Sequence, residues 1–278
     1  MSIPGPQDIV RRELNNGIVV LVRENHDSPS VVVGGYLPVG AYDERLEQAG
    51  LAAFTASVLM RGTTNRAFEQ IYEELESVGA SVSLGGGTHT TGFGAKSLVE
   101  DLPLVLDILA DVLRRPTFPH DEVGKLRGEI ITDLEERAHD TRRLASLTFH
   151  ELAYPKEHPY AHSLIGYTET INMLSRDDLA EFYTGGYGPH GMVIVVVGAV
   201  ETADALTQIE DVFGDWKAII MSVLHFLKFP ASSRFVSAPF PFPARRSPTS
   251  SWATLALLAL RRTSWMRSCA ILFWVSSG

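Results

Sequence analysis

A single cysteine, Cys269, stands in 278 residues, which excludes an internal disulfide and any cysteine-built zinc site. Acidic residues stop altogether after Asp215, so they cannot contribute to a site or a capped helix in the last part of the chain. No apolar run is long. Trp252 to Leu260 ends at Arg261 and Arg262, well short of the roughly 20 residues a membrane helix needs. The first residues, Met1 to Asp8, have neither the basic stretch nor the apolar core of a secretory signal. Positive charge is also scarce, and a net charge of −9 argues against a phosphate-rich partner. These absences predict a cytoplasmic protein with neither a nucleic-acid nor a membrane partner.

The distribution of charge is more informative than its sum. Up to Asp215 the chain carries 33 acidic and sixteen basic residues, a net −17, and eight further Lys and Arg follow, a net +8. From about Ile219 onward the sequence is rich in Ser, Pro, Arg and Trp, without caps or sustained periodicity. We therefore expect one domain over residues 1–218 and an aberrant, largely irregular basic tail over residues 219–278. A reading frame shifted near Trp216 to Ile220 accounts for that composition; a basic, Pro-rich tail is the alternative.

What is present before Trp216 reads as a mixed fold. Gly17 to Val22 and Ser30 to Leu37 are β-branched runs separated by a polar turn, hence strands. Helical spacing takes over from Glu47 to about Arg61, with Leu51, Phe54 and Val58 on one face and Gly62 as a stop. A second helix is expected over Ala67 to Val78, then a hairpin from Ala80 to Leu84 and Thr90 to Ala95. Three helices follow, over Leu98 to Leu113, His120 to about Ala138 and Thr141 to Ala153, with Pro116 and Pro119 dividing the first two. Ser175 and Asp178 form a capping pair for another helix. Met192 to Gly198 is continuously apolar, as in a strand buried on both faces, and Thr202 to Phe213 is amphipathic. The order implies an α+β fold, a mostly antiparallel sheet packed by helices.

The most informative segment runs from Gly50 to Thr63 and is preceded by Gly40 and Glu44. It resembles the pitrilysin/insulinase metallopeptidases, the inverzincins, whose zinc helix reads Gly-Leu-Ala-His-Phe-Leu-Glu-His-Met-Leu-Phe-Lys-Gly-Thr. Gly50, Leu51, Ala52, Phe54, Leu59, Gly62 and Thr63 coincide with that pattern. The resemblance extends over about residues 8–217, one N-terminal domain of a family in which two such domains usually follow one another. It implies an insulinase-type fold and a zinc site made by two His, four residues apart, with a Glu that activates water. In this chain those positions hold Ala53, Ser57 and Ala56. The family's third ligand is a Glu on a later helix; an ungapped count places Asp133 there, with Glu135 and Glu136 as alternatives. Alanine has no donor atom, and a neutral hydroxyl is a poor zinc ligand. We therefore expect no metal, no cofactor and no catalytic residue.

Other candidates carry less. His150 and Glu151 begin a His-Glu-x-x-His pattern, but Tyr154 stands where the second His is needed and His158 lies beyond Pro155. His89 is a lone His in the hairpin. Gly34-Gly35 and Gly85-Gly86-Gly87 are not followed by the Lys-Ser or Lys-Thr of a phosphate loop. The acidic run from Asp133 to Asp140 reads as a solvated helix face with Arg137 and Arg142 as partners.

The resemblance therefore implies a catalytically inactive homologue that works as a partner to an active zinc-bearing subunit, helping it enclose unfolded peptides. The negative charge before Asp215 would favour basic ones. A structural scaffold, similar to the core subunits of respiratory cytochrome bc complexes, is the alternative from another class. A product destabilised by its tail, and a zinc metalloendopeptidase with ligands outside the motif, rank below these.

Overall fold

The computed structural model describes residues 5–217. The expected tail, with Trp252 to Leu260, Cys269 and the boundary near Ile219, lies outside the described residues. Six strands form one sheet: β1 (Val10–Glu13), β2 (Val19–Glu24), β3 (Ser30–Leu37), β4 (Ser81–Gly86), β5 (Thr91–Leu98) and β6 (Val193–Gly198). Their order across the sheet is β1-β2-β6-β3-β5-β4. Every neighbouring pair is antiparallel except β2 and β6, which run parallel from Val19 beside Val193 to Glu24 beside Gly198. The last strand of the described chain thus enters the middle of the sheet. Among the described residues eight α-helices accompany it: α1 (Leu51–Val58), α2 (Phe68–Ser77), α3 (Leu102–Arg114), α4 (His120–Arg137), α5 (Thr141–Ala153), α6 (Thr168–Met173), α7 (Arg176–Gly186) and α8 (Thr202–Phe213). The α+β reading holds. Among the described residues no helix is long and apolar enough to cross a membrane.

The period of two along the strands decides which side carries the core. Val20, Val22, Val31, Val33, Ile194 and Val196 are buried, each no more than 1% exposed, and join one apolar cluster with Phe54, Val58, Ile108, Leu109, Ile209 and Phe213 of the helices. Val193, Val195 and Val197 are only half-buried. The apolar run of β6 is therefore covered fully on one face, not on both as its composition suggests.

Several boundaries differ from the sequence pattern for local reasons. The helix expected from Glu47 begins at Leu51, because Gly50 adopts φ 97° and breaks it from a separate 3₁₀ turn at Leu46–Gln48. A second 3₁₀ turn, Leu59–Arg61, tightens its end before Gly62 at φ 141°. Leu98 belongs to β5, and a 3₁₀ turn at Val99–Asp101 leads into α3. Ser175 caps α7 as expected, its Oγ accepting from Asp178 N while Ser175 N donates to the Asp178 carboxylate at 2.7 Å. Beyond α1 the chain is tied to α3 through Asp111, which is 1% exposed. Its carboxylate accepts from Thr63 Oγ1 at 2.5 Å, Asn65 Nδ2 at 2.7 Å and Arg66 Nη1 at 3.3 Å.

Candidate functional site

Helix α1 owes its direction to Glu44. This carboxylate accepts from Gly50 N at 3.0 Å and Ala52 N at 2.8 Å, so it satisfies donors that a helix start leaves open. Burial pushes the Glu44 carboxyl up, to about 7, against the opposing pull of the Ala52, Gly50 and Leu51 amides. Glycine is required at position 50: a Cβ there would sit 2.8 Å from Gly166 Cα and 2.9 Å from Ile171 Cδ1, in addition to the positive φ. Gly86 has a similar role on the other side, since a Cβ would lie 2.7 Å from Ala53 Cα. The sheet edge and the Gly166 loop can therefore both approach α1 closely.

Helices α1 and α4 bound a cleft of about 220 Å³. Three of the four positions aligned with the family's metal chemistry, Ala53, Ser57 and Asp133, line it together. Asp133, the residue reached by the ungapped count, lines the cleft, while the alternatives Glu135 and Glu136 are exposed and do not line it. Ala56, the family's base position, points elsewhere: it is 0% exposed and is not part of the lining.

The donors that remain are already engaged. Ser57 Oγ donates to the carbonyl of Ala53 at 2.9 Å within the helix. Asp133 accepts from both terminal nitrogens of Arg143, at 2.9 and 2.7 Å, and this bond holds its carboxyl below the usual range. The partner expected for the acidic run, Arg142, is not the one used. Asp140 caps α5 by accepting from the backbone N–H of Arg142 and Arg143, and that turn brings the side chain of Arg143 back to α4. Arg137 instead donates to Ser163 Oγ and, at 3.3 Å, to Gly166 O. Tested against zinc, which takes three or four strong N, O or S donors, this set of one shared carboxylate, one hydroxyl and one methyl does not fit. Among the described residues no group of three or more His, Cys, Asp or Glu is placed to hold a metal ion.

Sequence reasoning missed Glu129, which also lines the cleft and accepts from Arg61 Nη2 at 2.5 Å. Its position, four residues before Asp133 and thus one turn away on the same helix face, was the available signal. The histidines gather elsewhere. His89 Nε2 bonds the Tyr160 hydroxyl, and Tyr42 packs on both rings. His158, 7% exposed, accepts from Tyr160 N at 3.1 Å, and burial lowers its pKa, which favours a neutral ring. His150 is exposed and lies edge-on to Phe149 and Tyr154. Gly85 and Gly86 belong to β4, and Gly87 N closes the hairpin on Thr90 O at 2.7 Å, so this triplet is a turn and not a phosphate cradle.

Over 213 residues, 77% of the chain, the sequence is 28% identical to mitochondrial-processing peptidase subunit beta of Saccharomyces cerevisiae and covers 45% of it. Over 212 residues, 76% of the chain, it is 28% identical to cytochrome b-c1 complex subunit 1, mitochondrial, of Rattus norvegicus and covers 43% of that protein. The chain thus spans less than half the length of these curated relatives. Among solved structures, the first half of the periplasmic protease PqqL from Escherichia coli shares the fold with a TM-score of 0.72 at 23% identity, over 84% of this chain and 51% of that one. Residues 173–251 match the peptidase M16 inactive domain. Residues 19–166, more than half of the chain, match the insulinase family, peptidase family M16, and the protein belongs to that family.

Proposed function

We propose that this chain is a non-proteolytic member of the insulinase family that acts as a partner subunit, completing with a zinc-bearing family subunit the enclosure of a peptide substrate. The observation that carries this reading is the cleft itself. Ala53, Ser57 and Asp133 come together where the family's ligands are expected, yet they offer a single carboxylate, already held by Arg143. The donor set does not fit zinc and position 56 has no carboxylate to take a proton, so the cleft lacks the groups that would activate water. Loss of chemistry leaves the architecture in place: Leu51, Phe54, Val58 and Leu59 remain buried in the core. Two relatives named as subunits of larger assemblies support a role in partnership.

The purified full chain should hold far less than one zinc per molecule by elemental analysis and should leave unstructured basic peptides uncut. One bound zinc per chain with chelator-sensitive cleavage would refute the reading. A scaffolding role is the second reading, favoured by the equal identity to the cytochrome b-c1 complex subunit. Affinity capture with the full chain separates them. Recovery of a family member carrying an intact His-x-x-Glu-His helix supports the peptide-enclosing role, and recovery of respiratory subunits alone supports the scaffold.

A further inference from the structure

The cleft between α1 and α4 has a lining quite unlike that of a metal site. Its walls are the ring of Phe54, the methyl of Ala53 and the branched side chains of Leu126, Ile130, Ile165 and Ile171. Ile130 and Ile165 are half-exposed, so the apolar surface reaches the mouth. The polar groups that touch it are taken: Ser57 by the Ala53 carbonyl, Asp133 by Arg143 and Glu129 by Arg61. The neighbouring cations are turned to other partners. Arg127 lies over the Phe54 ring, 5.5 Å from its centre, and donates to the Ile171 carbonyl. Arg137 donates to Ser163 and Gly166. A charged group entering the cleft would lose water and meet only partners already engaged, whereas an apolar group would gain by leaving water.

We propose that this cleft is a slot for one uncharged apolar side chain, of the leucine, methionine or phenylalanine class, presented by an extended peptide and seated between Ala53, Ser57 and Asp133. The inference rests on the subunit reading above, in which peptides meet this surface and are not cut. A volume of about 220 Å³ takes a side chain, not a helix, whose diameter is about 10 Å. The local charges nearly balance, with Arg61, Arg127, Arg137 and Arg143 facing Glu122, Glu129 and Asp133. The excess of acidic residues elsewhere in the chain can steer basic peptides at long range, while the slot selects an apolar residue at contact.

The test measures fluorescence anisotropy of labelled, end-blocked nonapeptides of Gly and Ser that differ only at the central residue, with the full chain and a chelator present. Central Leu or Phe should bind about 10-fold or more tightly than central Ala, and central Lys or Glu no better than Ala. Ala53→Leu, which fills the slot from α1, should bring the Leu peptide down to the Ala value. Ile165→Asp at the mouth should do the same, so the test does not depend on one variant folding. The proposal is overturned if the Lys peptide binds as tightly as the Leu peptide, if affinity ignores the central residue, or if no peptide binds at millimolar concentration. Zinc-dependent cleavage in the absence of chelator would instead refute the subunit reading, and the preference measured with chelator judges the slot separately.

Discussion

Glu44 should make the protein less stable as pH rises through neutrality, and replacing it with Gln should remove that loss. Its carboxyl is displaced from 4.5 to about 7, chiefly by burial. At 1.36 kcal/mol per pH unit this corresponds to roughly 3 kcal/mol. The N-terminal end of α1 carries partial positive charge that favours the carboxylate by about 1 kcal/mol, which leaves roughly 2 kcal/mol. The sign follows from proton uptake. Below pH 4.5 the group is protonated folded or unfolded, so its contribution is fully present; above about 7 it is charged in both, and the folded state bears the cost of burying the charge. Urea unfolding of the wild type and Glu44→Gln from pH 4.5 to 8 reads this directly. The variant should be weaker by about 1 kcal/mol at the acid end, for the acceptor it lacks, and should gain roughly 2 kcal/mol on the wild type toward the alkaline end. The two Glu44 oxygens each serve one donor, Oε1 accepting from Gly50 N and Oε2 from Ala52 N; Gln keeps one acceptor and turns its –NH2 to the other donor, so the variant should lose about 1 kcal/mol at every pH. Asp43, whose carboxyl burial also raises, repels the Glu44 carboxylate, so part of the loss belongs to the pair. Parallel curves, with no gain for the variant between pH 4.5 and 8, would refute the reasoning and show that burial does not set this carboxyl.

Asp111→Ala should cost about 3 kcal/mol in urea unfolding, because it strips a buried acceptor from Thr63, Asn65 and Arg66 and leaves the guanidinium short of a partner. Gly50→Ala combines a strained φ with contact on Gly166 and Ile171, and thermal unfolding should show a loss of about 2 kcal/mol or more. Ala56→Glu should destabilise by about 3 kcal/mol or more, since the position is 0% exposed and a carboxylate there needs a partner. Ala53→His and Ser57→His, on the half-buried cleft side, should each stay within about 1 kcal/mol of the wild type. An Ala56→Glu variant as stable as the two His variants would overturn the distinction.

The elements most legible in the sequence were those whose residues are sorted by burial. Val31, Val33 and Leu37 in β3, and Leu126 and Leu134 in α4, carry periods of two and 3.6 because one side of each meets the core. β1 left no such trace. Val10, Arg11, Arg12 and Glu13 are all exposed, and only backbone pairing with β2 makes them a strand. α6 is one short turn-and-a-half anchored by Ile171 alone, too little for a periodic signal. At the cleft, the positions aligned with a known zinc helix were found by counting, since four residues along one helix and a fixed distance to the next are linear facts. The partner of Asp133 was not, because Arg143 reaches it only after the chain reverses at Asp140, and reversal geometry is a property of the fold.

On the reading proposed above, the retained fold and the lost chemistry draw on different sides of α1. Val58 and Leu59, each 0% exposed, face the core and hold the helix, and Phe54, also 0% exposed, packs in the core while bordering the cleft; Ala53 and Ser57 face the cleft. On that reading, the residues at 53 and 57 withhold metal donors while the core packing of α1 stays intact. Ala56 breaks the symmetry of that description. It lies out of the cleft, fully buried, so a Glu placed there would have to desolvate a charge or move α1 before it could reach water in the cleft. Two His and a lengthened Asp133 would supply ligands, but the base needs space that this packing does not leave. If the chain is non-proteolytic as proposed, the barrier to peptidase chemistry lies more in the closure around Ala56 than in the missing imidazoles, and the cleft is shaped by Phe54 and its aliphatic neighbours.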